Sequence, residues 1–205
     1  MPGLFITLEG GDGSGKSTQS ALLTDWLVGQ GQAVVISREP GGTDLGHELR
    51  EIILHRRGYM APRAEALLYA ADRAHNVATL VRPAIARGEI VVQDRYLDSS
   101  VAYQGAGRVL DPVEVRDLSL WAAEGLLPDL TVLLDLDVAA GRARLDADEK
   151  VFDRLEAEQE EFHTRVRDSY LALAAAEPHR FLVIDGSLHA EQIAGTIRSR
   201  VAELL

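Results

Sequence analysis

The chain has 205 residues and a formal charge of −11, a length that suits one domain with a substantial core. The acid excess argues against a nonspecific nucleic-acid binder, which needs a basic footprint, although a few local arginines can still serve an anionic small substrate. With no cysteine there is no disulfide, thiolate metal site or cysteine nucleophile. Neither a signal-peptide pattern nor a membrane-length apolar run is seen, so a cytoplasmic protein is expected.

Five short apolar runs read as strands: Leu4–Leu8, Ala33–Ser37, Ile90–Gln93, Leu130–Asp135 and Phe181–Ile184. None alternates cleanly, as expected of parallel strands covered on both faces. The first helix is expected from Lys16 to about Val28, stopped by Gly29 and Gly31, and the next from Asp44 to about Leu54. Another runs from Pro62, a fitting first helical residue, to about Leu80, with a break or kink at Pro83. Asp111 caps a helix reaching about Glu124. Val138 to Leu145 reads as helix, and a long one resumes near Leu155 and ends about Ala176. A last helix from about Ala190 to Leu204 closes the chain. The pattern is βαβα, hence an α/β fold with a mostly parallel sheet.

The most informative stretch joins the first strand to the first helix. Gly10-Gly11-Asp12-Gly13-Ser14-Gly15-Lys16-Ser17-Thr18 contains the G-x-x-x-x-G-K-[ST] spacing of a phosphate-binding loop. Its glycines let backbone N–H groups turn inward on phosphate oxygens, and the next helix presents its positive end to the same anion. Lys16 reaches the β/γ-phosphates of a bound triphosphate, and the Ser17 hydroxyl ligates Mg²⁺. Residues farther along the chain narrow the reading. No guanine-reading Asn-Lys-x-Asp occurs, and the third strand ends in Asp94-Arg95 rather than a carboxylate pair. A guanidinium there suits a second, phosphorylated substrate better than an attacking water.

The chain resembles the bacterial thymidylate kinases over essentially its full length. The resemblance rests on the loop together with Arg38-Glu39-Pro40-Gly41-Gly42-Thr43, Leu67-Leu68-Tyr69-Ala70-Ala71-Asp72-Arg73, Asp94-Arg95-Tyr96 with Ser99 and Ala102-Tyr103-Gln104-Gly105, Pro128-Asp129-Leu130, and Asp153-Arg154-Leu155-Glu156. It implies a three-layer P-loop kinase fold, one domain over residues 1–205 with a five-stranded sheet between helices and a small mobile lid at about 142–154. It also implies transfer of the γ-phosphoryl of ATP to dTMP with Mg²⁺, and a homodimer with no nucleic-acid or membrane partner.

By the same resemblance, Asp12 lies near the acceptor phosphate and the metal, Tyr69 stacks on the thymine ring, and Arg73 contacts the base around O4. Arg95 grips the acceptor phosphate, Asp94 orients it or the metal's water shell, Ser100 and Gln104 line the base pocket, and Tyr103 lies beneath the sugar. Arg38 and Arg50 are secondary phosphate contacts or surface charges. The loop carries no arginine, so the transferring charge is expected to be met from the lid by Arg154 first, then Arg144, with Arg142 the remaining candidate. That lid is acidic at Asp146, Asp148 and Glu149. The other readings are a P-loop kinase for another small nucleotide or nucleoside, and a nucleotide-binding switch.

Overall fold

Residues 3–147 and 152–205 are described by the computed structural model of this chain. Its centre is β1 (Phe5–Gly10), paired on either side with β3 (Ile90–Asp94) and β4 (Leu130–Asp135), with β2 (Val34–Arg38) and β5 (Phe181–Asp185) outside them. The order is β2-β3-β1-β4-β5 and every pairing is parallel. Parallel neighbours require crossovers. The helices are α1 (Lys16–Gly29), α2 (Asp44–Arg50), α3 (Pro62–Asn76), α4 (Arg82–Ala86), α5 (Leu97–Ser100), α6 (Pro112–Ala122), α7 (Val138–Ala147), α8 (Glu160–Ala176) and α9 (Ala190–Ala202).

Two-residue periodicity divides β1 between the faces. Ile6 and Leu8 pack with Leu23 and Leu27 of α1 and Ile193 and Ile197 of α9. On the other face, Phe5 meets Tyr96 edge-on at 4.9 Å, the Thr7 hydroxyl lies 3.0 Å from that of Thr131, and Glu9 is fully buried. That face thus changes from apolar to charged as β1 approaches its end. Leu8 pairs with Asp94 and Gly10 with Leu134, so three central strands finish level. Ligands of open α/β sheets bind at this carboxyl edge.

The strands expected from sequence form within a residue or two at each end. Three helical details differ. The chain does not break at Pro83: α3 widens into a π-helical turn at Val77–Val81, and α4 restarts so that Pro83 falls in its first turn, where no N–H is needed. Helix α8 begins at Glu160 rather than near Leu155, because the Asp153 carboxylate accepts from the N–H groups of Leu155 and Glu156 and closes a separate turn. The segment after Tyr96, which shows no helical periodicity, forms α5 and a π-helical turn at Val101–Gly107. Tight packing holds it there, since a Cβ on Gly107 would lie 2.6 Å from the Phe162 ring.

A buried ion pair pins α5 to the end of the sheet. Arg180 donates both terminal nitrogens to Asp98 at 2.7 Å and also reaches the Thr131 hydroxyl at 2.8 Å. Removing one partner of such a pair costs about 3 kcal/mol, because the other charge stays buried. Asp98→Ala should therefore lower the urea midpoint by about that stability at an unchanged m-value; a midpoint within error of the parent would refute the assignment.

Candidate active site

The loop leaves β1 at Gly10 and re-enters secondary structure at Lys16, the first residue of α1. Gly15 immediately before it has φ 95°, which a side chain rarely tolerates, and this turn aims the start of α1 at the loop's interior. Lys16 lies back across the loop, donating to the carbonyls of Gly10 at 3.1 Å and Gly11 at 2.7 Å. Burial and Arg95 push its ammonium down to about 8, against the pull of Asp94, Asp12 and Glu9.

Arg95 follows β3 with φ 66°, a strained conformation for a bulky residue. Its guanidinium donates to Asp12 at 2.5 Å, to Tyr103 at 3.2 Å and to the Gly10 carbonyl at 3.2 Å. It also lies 4.9 Å over the Tyr103 ring, whose hydroxyl donates to Asp12 at 3.0 Å. Burial alone would raise Asp12, but Arg95, then Lys16 and the Tyr103 hydroxyl, outweigh it and hold the carboxylate below its ordinary value.

These groups border a cavity of about 840 Å³. Its lining also includes Arg38, Arg50, Leu54, Tyr69, Tyr103 and Gln104, together with Gly186, Ser187, Leu188, His189 and Ala190. Burial, then Glu65, raise the Tyr69 phenol, so it presents a neutral ring. Two residues expected in the base pocket sit behind this wall. Arg73 is buried and donates to Glu39 at 2.9 Å, Ser119 at 3.0 Å and Ser100 at 3.1 Å. Neither Arg73 nor Ser100 lines the cavity. Glu39, pushed up to about 7 by burial in spite of Arg73, does line it, so this network meets the cavity through its carboxylate.

Of the lid expected at 142–154, residues 148–151, including Asp148 and Glu149, lie outside the described residues. The three candidate arginines go separate ways. Arg144 donates to the loop carbonyl of Gly13 at 3.3 Å and to Gly186 at 3.0 Å. Arg154 turns away from the loop to Glu65, at 2.6 Å, and to the Ile53 carbonyl. Arg142 stacks 3.9 Å from the centre of the Phe152 ring and pairs with Asp146 at 3.5 Å.

The donor set for a hard cation is also present. The Ser17 hydroxyl lies 3.5 Å from Asp94 Oδ2, and Asp94 Oδ1 is buried with no hydrogen-bond partner among the described residues. An orphaned carboxylate oxygen beside a hydroxyl at a phosphate loop fits Mg²⁺, which takes one or two protein oxygens and completes its shell with water and phosphate. No group of three or more His, Cys, Asp or Glu able to hold a metal occurs among the described residues.

Sequence reasoning gave no role to Glu9, Glu65 or Tyr170. Glu65 is fully buried and accepts from Gln104 at 2.9 Å as well as from Arg154. The Tyr170 hydroxyl meets Arg95 at 3.3 Å. The signal for Glu9 is its charge at the end of a buried strand; Tyr170, in the middle of a long helix, carries no such signal.

The loop also touches α7 through bare backbone. A Cβ on Gly13 would fall 2.5 Å from the Gly141 carbonyl, and one on Gly141 would fall 2.6 Å from the Asp12 carbonyl. Gly141→Ala should push α7 off the loop, lowering kcat by about tenfold or more, since sub-ångström misplacement of a catalytic group is costly. Steady-state rates within twofold of the parent would show that this contact does not register the loop.

The family model for thymidylate kinase matches residues 8–197 of this chain. A thymidylate kinase of Leifsonia xyli subsp. xyli is 74% identical over 200 residues, covering 98% of this chain and 95% of that protein. One from Clavibacter sepedonicus is 71% identical over 205 residues, covering 100% of this chain and 97% of the relative. Among solved structures, thymidylate kinase from Ehrlichia chaffeensis matches with a TM-score of 0.79 and 30% identity, over 98% of this chain and 99% of that one. By the family model and by these relatives, the chain belongs to the thymidylate kinase family.

Proposed function

We propose that the enzyme transfers the γ-phosphoryl of ATP to dTMP, with ATP on the loop and the Gly186–Ala190 side and dTMP on the Tyr69 side. The observation that carries this reading is the juxtaposition of Lys16 and Arg95, which both donate to the Gly10 carbonyl. One cation serves a donor phosphate and the other an acceptor phosphate, so the two reacting groups meet at the loop. An oxygen of the acceptor phosphate attacks the γ-phosphorus in line as the bond to the β–γ bridging oxygen breaks, giving dTDP and ADP. The acceptor oxygen is already anionic, so positioning and charge stabilisation dominate and no general base is needed.

Asp12 then holds Arg95 and the loop in register, rather than abstracting a proton. Tyr69 supplies a flat face for thymine, with Gln104 at its edge and Arg73 and Ser100 supporting through Glu39. Tyr103 crowds the sugar, and Arg38 and Arg50 add positive charge. Ser17 and Asp94 would hold Mg²⁺, which neutralises charge on the donor phosphates when bound. Of the lid arginines, Arg144 is the one in hydrogen-bond reach of the loop, and we assign it the transferring charge, with closure of the segment over ATP. Both substrates belong to the cytoplasm; no helix among the described residues is long and apolar enough to cross a membrane. Leu67 on α3 and Val113 and Trp121 on α6 are exposed at 57%, 65% and 79%. Apolar residues on two helices packed together suit a homodimer interface.

Coupled ADP-release assays across the nucleoside monophosphates should find dTMP preferred, and turnover of UMP, AMP or GMP at comparable rates would reject the reading. Lys16→Ala and Arg144→Ala should each lower kcat about 100-fold, and Arg154→Ala much less; the reverse order for the two arginines would reassign the lid. Trp121→Glu should shift sedimentation from dimer to monomer.

A further inference from the structure

Glu9 is the last side chain β1 buries before the loop turns away, and it does not line the cavity. Its Oε1 accepts from the backbone N–H of Tyr96 at 2.8 Å. Its Oε2 accepts from the Ser99 hydroxyl at 2.6 Å and from the Tyr170 hydroxyl at 2.9 Å. Those hydroxyls lie 2.7 Å from each other, and each is 3.3 Å from Arg95 Nη1. Two hydroxyl hydrogens therefore serve this triangle of three oxygens. Whether both run to Oε2, or one runs between the hydroxyls and the other to Oε2, neither points at Arg95. A carboxylate only accepts, so it turns both hydroxyl lone pairs toward the guanidinium. Oε1 meanwhile ties down the residue after Arg95, whose own backbone is held at φ 66°.

We propose that Glu9 is a positioning residue for the acceptor phosphate: acting through Ser99, Tyr170 and the Tyr96 N–H, it fixes the Arg95 guanidinium in its gripping orientation. The inference rests on the reading of Arg95 as the acceptor-phosphate ligand. The charged and titratable groups facing Glu9 are Asp98 from α5, Arg95 after β3, and Tyr170 from α8, with Lys16 from α1 coupled more weakly. Burial first, and Asp98 second, push Glu9 up to about 7, against the Ser99 and Tyr170 hydrogen bonds and Arg95. On protonation Oε2 brings a third hydrogen into the triangle, which competes with Arg95 for hydroxyl lone pairs. The grip then loosens as pH falls.

Glu9→Gln is nearly isosteric but reverses the polarity. The Tyr96 N–H requires an acceptor at Oε1, which leaves the amide nitrogen at Oε2, donating to the hydroxyls. The substitution should raise KM for dTMP about tenfold, with kcat and KM for ATP within about twofold of the parent. In the parent, KM for dTMP should rise as pH falls through about 7. Glu9→Gln should keep only the dependence due to dTMP itself, whose phosphate titrates at about 6. In an Arg95→Ala background, Glu9→Gln should add nothing. An equal factor in both backgrounds, identical pH profiles, or an equal rise in KM for ATP would overturn the proposal. If Arg95→Ala alone leaves KM for dTMP unchanged, the reading of Arg95 fails first. Should Glu9→Gln not fold, Ser99→Ala and Tyr170→Phe each cut one link, and the same non-additivity with Arg95→Ala decides.

Discussion

The carbonyl oxygen of Gly10 accepts from two cations, Lys16 at 3.1 Å and Arg95 at 3.2 Å, and the rest of the site is arranged so that both can stay there. Two positive groups this close repel, which is why Arg95 helps depress the Lys16 ammonium. Their coexistence depends on carboxylates placed around them. Asp12 lies on the loop and pairs directly with Arg95, Asp94 ends β3, and Glu9 acts from beneath through hydroxyls. Each comes from a strand end or from the loop between, so the level finish of the strands is also what aligns the charges.

This arrangement resolves the contrast between an acidic chain and an anionic substrate pair. The chain carries a net charge of −11, whereas in the cavity Lys16, Arg38, Arg50, Arg95 and Arg144 offset the carboxylates of Asp12, Glu39, Asp94, Asp153 and Glu156, so the site lacks the acid excess of the chain as a whole. Charges held between low-dielectric walls interact more strongly there than the screened charges of the surface do. Buried arginines that do not reach the cavity serve as structure. Arg180 holds α5 through Asp98, and Arg73 braces Glu39, Ser100 and Ser119.

The lid shows how much one carboxylate can decide. Arg154 and Arg144 look alike in sequence, each close to acidic residues in a polar stretch. In the fold, Arg154 is drawn to Glu65, a buried carboxylate on α3 that needs compensation. Arg144 extends from α7, which the Gly13–Gly141 backbone contact holds against the loop, and so reaches the Gly13 carbonyl.

The sequence by itself determined the strand succession, most of the helices, the phosphate loop and the cation after β3, because these depend on local pattern: buried β-prone runs, a fixed glycine spacing, and a charge where an apolar strand ends. It also indicated the family, because separated motifs kept their order. Tertiary structure alone decided which groups meet. It set Arg73 and Ser100 behind the cavity wall, parted Arg144 from Arg154, carried the helix through Pro83, and brought Tyr170 under a strand 161 residues earlier to meet Glu9. Those outcomes come from burial, which forces every enclosed charge and hydroxyl to find a partner wherever in the chain it lies.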